Sequence, residues 1–186
     1  IMSQFRHFYA HLGNINATTI IETNQWPRVV GITGKSGKST SGLWEWFNMI
    51  EFKEIKTEQE LTAVLEMCYR ILGNDNAELY GYEAWLNRLK NGLQPLIYAC
   101  DGNKIISAVL GRSENKDSLV IGFVACDENY RRQGVTKNLM ELFEEKAREL
   151  GYKYITLGSK EDAFYEKCGY KIIFEINGQN IYQKIL

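Results

Sequence analysis

A mixed α/β fold, one β-sheet with helices on both faces, is predicted by three features of this 186-residue chain. The first is a continuous apolar run at residues 119–126 (Leu119-Val120-Ile121-Gly122-Phe123-Val124-Ala125-Cys126), too short for a helix and suited to a central strand buried on both faces. The second follows it: Val135, Leu139, Leu142, Phe143, Ala147 and Leu150 recur at helical spacing, with Lys137, Glu141, Glu144, Glu145 and Arg148 on the other side. Gly151 closes that amphipathic helix. The third is the order of the remaining patterns, which reads β-α-α-β-β-β-α-β-α-β-β from residue 50 onward.

Taken in order, residues 1–48 are expected to form an N-terminal extension ahead of a domain at 49–186. Within the extension, residues 17–21 and 29–33 read as short strands around Asn24-Gln25-Trp26-Pro27. Gly34-Lys35-Ser36-Gly37-Lys38-Ser39-Thr40-Ser41-Gly42 reads as a flexible linker. It is not a phosphate-binding P-loop, because the glycine required five positions before Gly37 or Gly34 is Ile32 or Val29. Leu43-Trp44-Glu45-Trp46-Phe47 is an aromatic cluster costly to leave in water, so it is expected to pack on the body or to join two copies as a homodimer.

The domain opens with a strand at 50–55 and a helix begun by Thr57 with Glu60 three residues on, the spacing of a capping box. Leu61, Val64, Leu65, Cys68, Ile71 and Leu72 form its predicted buried stripe. A second helix is predicted over 77–89, ending near Asn91-Gly92. Apolar runs at 96–100 and 104–110 flank Asp101-Gly102-Asn103, a hairpin signal. After the central strand and its helix come a strand at 154–157, a short helix at 162–167, and strands at 171–175 and 181–185 joined through Asn177-Gly178.

Composition excludes several functions. A formal charge of -1, with both signs mixed along the chain, provides no basic field for nucleic acid. Cys68, Cys100, Cys126 and Cys168 are widely spaced, and the two histidines are His7 and His11, so neither a zinc site nor a disulfide framework has its spacing. No metal is expected. Reduced cysteines, the lack of a membrane-length apolar run and the lack of a signal-peptide core point to a cytoplasmic protein that does not engage a membrane.

The chemistry-bearing stretch is the turn Tyr130-Arg131-Arg132-Gln133-Gly134-Val135-Thr136-Lys137 between the central strand and its helix. The first N–H groups of a helix have no intrahelical partner and carry the positive end of its dipole, so they favour an anion. Gly134 lets a ligand approach the backbone, and Arg131, Arg132 and Lys137 add charge suited to phosphate.

Arg131-x-x-Gly134-x-Thr136 after a buried strand, followed by Ala163-Phe164-Tyr165-Glu166-Lys167-Cys168-Gly169-Tyr170, resembles the GNAT superfamily of acetyl-coenzyme A-dependent N-acyltransferases over about residues 49–186. The resemblance implies the GNAT arrangement, a central mixed β-sheet flanked by helices on both faces. It also implies acetyl-coenzyme A as cosubstrate, with its pyrophosphate held by Arg131, Arg132, Gln133, Gly134, Val135, Thr136 and Lys137. Backbone groups of Phe123, Val124, Ala125 and Cys126 are then expected to pair with the pantetheine arm, which stands in for a missing strand. Tyr165 is the catalytic residue the resemblance implies, the acid that protonates the departing thiolate as a bound amine attacks the thioester directly. Two positions depart from the family pattern: Thr136, where Gly or Ala is usual, and Gly158, where many members place Asn.

The general base is left open among Asp127, Glu128, Glu78 and Glu83. A nucleophilic Cys126 or Cys168 is disfavoured, since no histidine stands in this domain to activate a thiol. The acceptor is expected to be a small-molecule or peptide amine. The reading from a different class is a non-catalytic acyl-coenzyme A-binding or interaction module on a degenerate GNAT fold, with the aromatic extension as its partner surface.

Overall fold

The computed structural model describes residues 28–31, 49–73 and 77–186. The strand predicted at 17–21, the linker at 34–42 and the aromatic cluster at 43–47 lie outside the described residues. Among the described residues eight strands form one sheet: β1 (Arg28–Gly31), β2 (Met49–Glu54), β3 (Leu96–Asp101), β4 (Lys104–Ser113), β5 (Ser118–Cys126), β6 (Tyr154–Ser159), β7 (Lys171–Ile176) and β8 (Gln179–Ile185), in spatial order β1-β2-β3-β4-β5-β6-β8-β7. Every neighbouring pair is antiparallel except β5 with β6. The strand expected at 29–33 is seen as β1, which adds an edge to the sheet by pairing with β2.

Helices α1 (Glu58–Leu72), α2 (Ala77–Tyr80), α3 (Tyr82–Asn91), α4 (Val135–Glu149) and α5 (Asp162–Lys167) complete the described fold. On one face, Leu61, Val64, Leu65 and Trp85 of α1 and α3 pack with Phe123 and Ala125 of β5. On the other, Leu139, Leu142 and Phe143 of α4 pack with Leu119 and Ile121 of the same strand. The predicted fold class, a mixed sheet with helices on both faces, is therefore the observed one.

Local chemistry accounts for the helix ends. Thr57 accepts from the Glu60 N–H at 3.2 Å while Glu60 accepts from the Thr57 N–H at 3.0 Å, the predicted capping box. Three expectations are corrected. The stripe of α1 ends at Cys68: Ile71 is half-buried and Leu72 is 44% exposed, while Met67 is buried. The helix expected over 77–89 is two helices, α2 and α3, because Gly81 takes an extended conformation and caps α3. Carbonyls at the end of α2 are taken by side chains, Tyr80 by the Tyr69 hydroxyl at 2.7 Å and Leu79 by Arg88 at 2.8 Å.

The central strand differs most. Leu119, Ile121, Phe123 and Ala125 are buried, but Val120, Gly122, Val124 and Cys126 between them are only half-buried, so β5 is not covered throughout. A bulge explains its faces: Leu110 pairs with Phe123 and Gly111 with Ile121, leaving Gly122 extra. Ile121 faces α4, whereas Gly122 and Phe123 both turn to the α1 and α3 side. A Cβ on Gly122 would lie 2.9 Å from the Trp85 ring and 3.0 Å from Tyr80, and one on Gly111 would lie 2.9 Å from the Pro95 carbonyl. Only glycine fits either side of the bulge.

Candidate active site

The sheet opens beside this bulge. β5 and β6 pair in parallel through Ser118, Leu119 and Val120 against Tyr154, Ile155 and Thr156, and there the ladder stops. β5 runs on to Cys126 and β6 to Ser159 without pairing to each other. On its β4 side, β5 stays satisfied: the Ala125 carbonyl accepts from the Ser107 hydroxyl at 2.8 Å, and the Asp127 N–H donates to the Ile106 carbonyl at 2.8 Å. By strand alternation, Val124 and Cys126 turn their peptide groups the other way, into the opening. Arg131 Nε reaches the Cys126 carbonyl from that side at 3.4 Å.

The turn at the end of β5 is built from Asp127 onward. Asp127 caps a single 3₁₀ turn, Glu128–Tyr130, by accepting from the Asn129 N–H at 3.1 Å. Tyr130 donates to Asp101 at 2.7 Å and packs under Lys104, which fixes the turn against the β3–β4 hairpin. Arg132 and Gly134 then take left-handed conformations, at φ 61° and 82°, and turn the chain into α4. Val135 is buried and anchors the helix, while Arg131, Arg132, Gln133, Gly134 and Lys137 are exposed. Among the described residues no side chain caps the start of α4, its first turn carries no acidic residue, and a Cβ at Gly134 would meet nothing within 4 Å. The first N–H groups of α4 therefore face open space with cations around them, an arrangement suited to phosphate.

Thr136 serves a different purpose from its neighbours. Its hydroxyl lies 3.1 Å from the fully buried Ser107 hydroxyl, whose single proton goes to the Ala125 carbonyl. Thr136 is thus the donor in a relay from Thr136 through Ser107 to Ala125. The relay ties the first turn of α4 to the strand that borders the opening, and its use of the hydroxyl accommodates a β-branched residue there. At Gly158, the other departure, a side chain would press on Gln179 and Ile181 of β8 at 3.1–3.2 Å.

Tyr165 sits on α5, 6% exposed, among Phe164, Tyr170 and Tyr182 at ring separations of 5.0, 6.1 and 5.4 Å. Burial pushes its phenol up to about 12, against the opposing effect of a hydrogen bond with Ser159. Ser159 ends β6 in the part that has left β5, and its oxygen already accepts from the Glu161 N–H at 3.0 Å. Its own proton can go to the Tyr165 oxygen, which leaves the phenol proton for another acceptor.

The carboxylates considered as bases lie in unlike settings. Asp127 is nearly buried, 3.0 Å from Lys104, and its hydrogen bond with Lys104 first, then those from Asn129, hold it below the usual carboxylate range. It serves as a cap and an ion-pair partner. Glu128, Glu78 and Glu83 are exposed. All four cysteines are free, and burial raises the Cys168 thiol to about 11, which keeps it protonated and poorly nucleophilic near neutrality. Among the described residues no cluster of His, Cys, Asp and Glu could hold a metal ion, and no helix is long and apolar enough to cross a membrane.

Ser107, Gly111, Gly122 and Ser159 belong to this construction and were not singled out by sequence. The two glycines carried a usable signal, since an isolated Gly inside an apolar strand pattern marks a bulge.

The model of the Acetyltransferase (GNAT) family matches residues 58–170. The chain belongs to the GNAT acetyltransferase family. Structural relatives agree with this membership, each sharing the fold at low identity. An acetyltransferase from Streptococcus agalactiae 2603 is 22% identical, with 74% of this chain and 98% of that chain covered at a TM-score of 0.59. PaiA N-acetyltransferase from Thermoplasma acidophilum, solved in complex with coenzyme A, is 16% identical, with 74% and 99% covered at 0.62. An aminoglycoside 6'-acetyltransferase type Ii is 15% identical, with 72% and 96% covered at 0.60. None of the curated proteins compared with the chain matches it. GNAT relatives bind coenzyme A or acetyl-coenzyme A, as the Thermoplasma acidophilum complex illustrates.

Proposed function

We propose that this GNAT protein transfers an acetyl group from acetyl-coenzyme A to a primary amine by direct attack. The observation that carries the reading is the opening between β5 and β6, which ends at an uncapped, cation-ringed helix N-terminus. An extended pantetheine arm fits the peptide groups that Val124 and Cys126 turn into the opening, beside Phe123 and Ala125, with the Cys126 carbonyl shared with Arg131. The pyrophosphate fits the N–H groups of Gly134, Val135, Thr136 and Lys137, with Arg131, Arg132 and Gln133 around it. Thr136 contributes its backbone there, since its hydroxyl is held by Ser107.

Acetyl-coenzyme A supplies an activated acyl group on sulfur. The amine nitrogen bonds to the carbonyl carbon, the carbon–sulfur bond breaks with its electron pair going to sulfur, and the nitrogen loses a proton. Tyr165 acts on the leaving sulfur. A phenol near 12 facing a thiolate whose conjugate acid lies near ~8.5 keeps its proton at equilibrium, so it stabilises the thiolate as a hydrogen-bond donor. Ser159 orients it. An amine with a pKa near ~10.4 must arrive neutral, and with Asp127 ion-paired and Glu128, Glu78 and Glu83 exposed, water is the proton acceptor we favour.

The acceptor in this reading is a small-molecule or peptide amine and the working compartment is the cytoplasm. The acyltransferase unit begins near Met49, with residues 1–48 as an extension to which β1 belongs. Acetyl-coenzyme A turnover across a panel of polyamines, amino acids, aminoglycosides and peptides, followed by thiol release, tests the proposal. Amine-dependent release is expected; coenzyme A binding without release for any amine would favour the non-catalytic module.

A further inference from the structure

One face of β8 holds α5 at both ends. Asn180, Tyr182 and Lys184 are alternate residues of that strand and share a face. Asn180 donates to Asp162 Oδ1 at 3.0 Å and the Tyr182 hydroxyl donates to the same oxygen, which fixes the start of α5. At the other end Lys184 donates to the Cys168 carbonyl at 2.7 Å, with its ammonium 5.3 Å from the centre of the Tyr170 ring. The N–H groups of Cys168 and Tyr170 in turn close on the Tyr165 carbonyl, at 3.1 and 3.0 Å. Lys184 therefore grips the stretch of backbone that carries Tyr165.

Lys184 is itself held from behind. Its ammonium donates to Glu144 Oε2 at 2.7 Å, and Glu144, on α4, is 4% exposed. Exposed Arg148 stands farther off, at 3.9 Å. Neither Glu144 Oε1 nor the Tyr170 hydroxyl makes a well-formed hydrogen bond, and after burial the Glu144 charge does most to raise the Tyr170 phenol, so carboxylate and phenol lie side by side. Taking two charges out of water offsets much of their attraction, so net stability is a poor reason for such a pair. What the pair fixes is direction. Helix α4 starts at the turn suited to phosphate and α5 carries the phenol, and the run Glu144–Lys184–Cys168 joins the two. We propose that Lys184, backed by Glu144, is a positioning residue for the transfer: it locks the end of α5 to α4, so that the Tyr165 hydroxyl keeps its place relative to the phosphate-binding turn. This role rests on the one given to Tyr165 above.

The test combines Lys184→Met with Glu144→Gln in the full chain, which removes both charges together and leaves no buried ion unpaired. A small misplacement of a reacting group is costly, so kcat should fall about tenfold, while KM for acetyl-coenzyme A stays within about twofold because the α4 turn is untouched. In a Tyr165→Phe background the same pair of changes should lower kcat no further, since no phenol is left to misplace. Wild-type turnover in the paired variant, or the same fall with and without the phenol, would overturn the proposal. Glu144→Gln alone keeps the shape of the side chain and is the milder change. It should lower kcat with the phenol present and not without it, which carries the decision if the paired variant does not fold. Hydrogen exchange reads the grip without turnover: the amides of Cys168 and Tyr170 should exchange about tenfold faster in the paired variant while those of β5 keep their protection. Unchanged protection at Cys168 and Tyr170 would overturn the proposal whatever the kinetics. No turnover by the wild type, or wild-type turnover in Tyr165→Phe alone, is a separate failure: it would overturn the reading of Tyr165, and this role with it, even where exchange shows that Lys184 holds α5.

Discussion

Tyr165→Phe removes one oxygen and leaves the ring among Phe164, Tyr170 and Tyr182. If the phenol donates to the departing sulfur, that bond strengthens as charge develops, so its loss falls on the transition state more than on bound acetyl-coenzyme A. A hydrogen bond to a charged acceptor contributes about 1.5–3 kcal/mol, which converts to a fall in kcat of roughly 10- to 150-fold. Affinity for coenzyme A should hold. Folding stability should change by no more than about 1 kcal/mol, the usual net value of one hydrogen bond, since the ring keeps its packing. The pH profile adds a second test. With the phenol near 12, turnover should rise with pH as the amine deprotonates and show no descending limb from Tyr165 below about pH 10. Thiol release with a confirmed amine acceptor reads both effects. Wild-type turnover in the variant, or a descending limb near pH 9 that the variant abolishes, would show that the reasoning about this phenol is wrong.

Three further predictions concern the frame around the site. Ser107→Ala takes the side-chain donor from the Ala125 carbonyl and the acceptor from Thr136, so it should cost about 1–3 kcal/mol and exceed the cost of Thr136→Val. The double variant should cost less than the sum of the singles in urea unfolding, and strict additivity would dissolve the relay. Gly122→Ala should cost about 1–3 kcal/mol by overpacking and perturb the near-ultraviolet dichroism of Trp85, and Gly111→Ala should cost more, because its Cβ meets the Pro95 backbone oxygen as well as the Phe143 ring. A stability of Gly111→Ala equal to wild type would mean that the bulge is misplaced. Burial raises the phenols of Tyr165 and Tyr98 to about 12, and that of Tyr170 further. Groups raised in the folded state contribute stability that is intact below the unfolded value near 10 and lost as pH climbs through the folded value. Unfolding midpoints should therefore fall between about pH 10 and 12, more shallowly in Tyr165→Phe, and phenolate absorbance that titrates fully near pH 10 in the folded protein would contradict this.

What the sequence disclosed was mostly local. The Thr57–Glu60 box, the α4 stripe from Val135 to Ala147 and the Arg131 to Gly134 turn depend on residues within a few positions of one another, where spacing alone carries the signal. Residues 119–126 were harder, because an apolar run looks the same whether its neighbour pairs along its whole length or leaves after three residues. The opening is a property of two strands more than thirty positions apart. Gly122 and Gly111 marked the bulge, but the partner ring of Trp85 could not be read from either. Ser107 looked like one polar residue in an apolar strand, and its meaning depends on Thr136 and Ala125 together. Residues 171–176 show the same limit in reverse: Ile172, Ile173 and Phe174 have the composition of a core strand, and only the strand order puts them on an edge.

The central claim is that the α4 turn holds the phosphates of coenzyme A, and calorimetric titration of coenzyme A into wild type and Gly134→Val tests it most directly. Gly134 combines φ 82° with open space where a side chain would project, so valine both strains the turn and covers its N–H groups. One charge-assisted contact contributes about 1.5–3 kcal/mol. Wild type should bind coenzyme A at one site, and Gly134→Val should raise the dissociation constant by about tenfold or more while thermal unfolding stays cooperative. Equal affinity in the two proteins, or no binding by the wild type, would contradict the account.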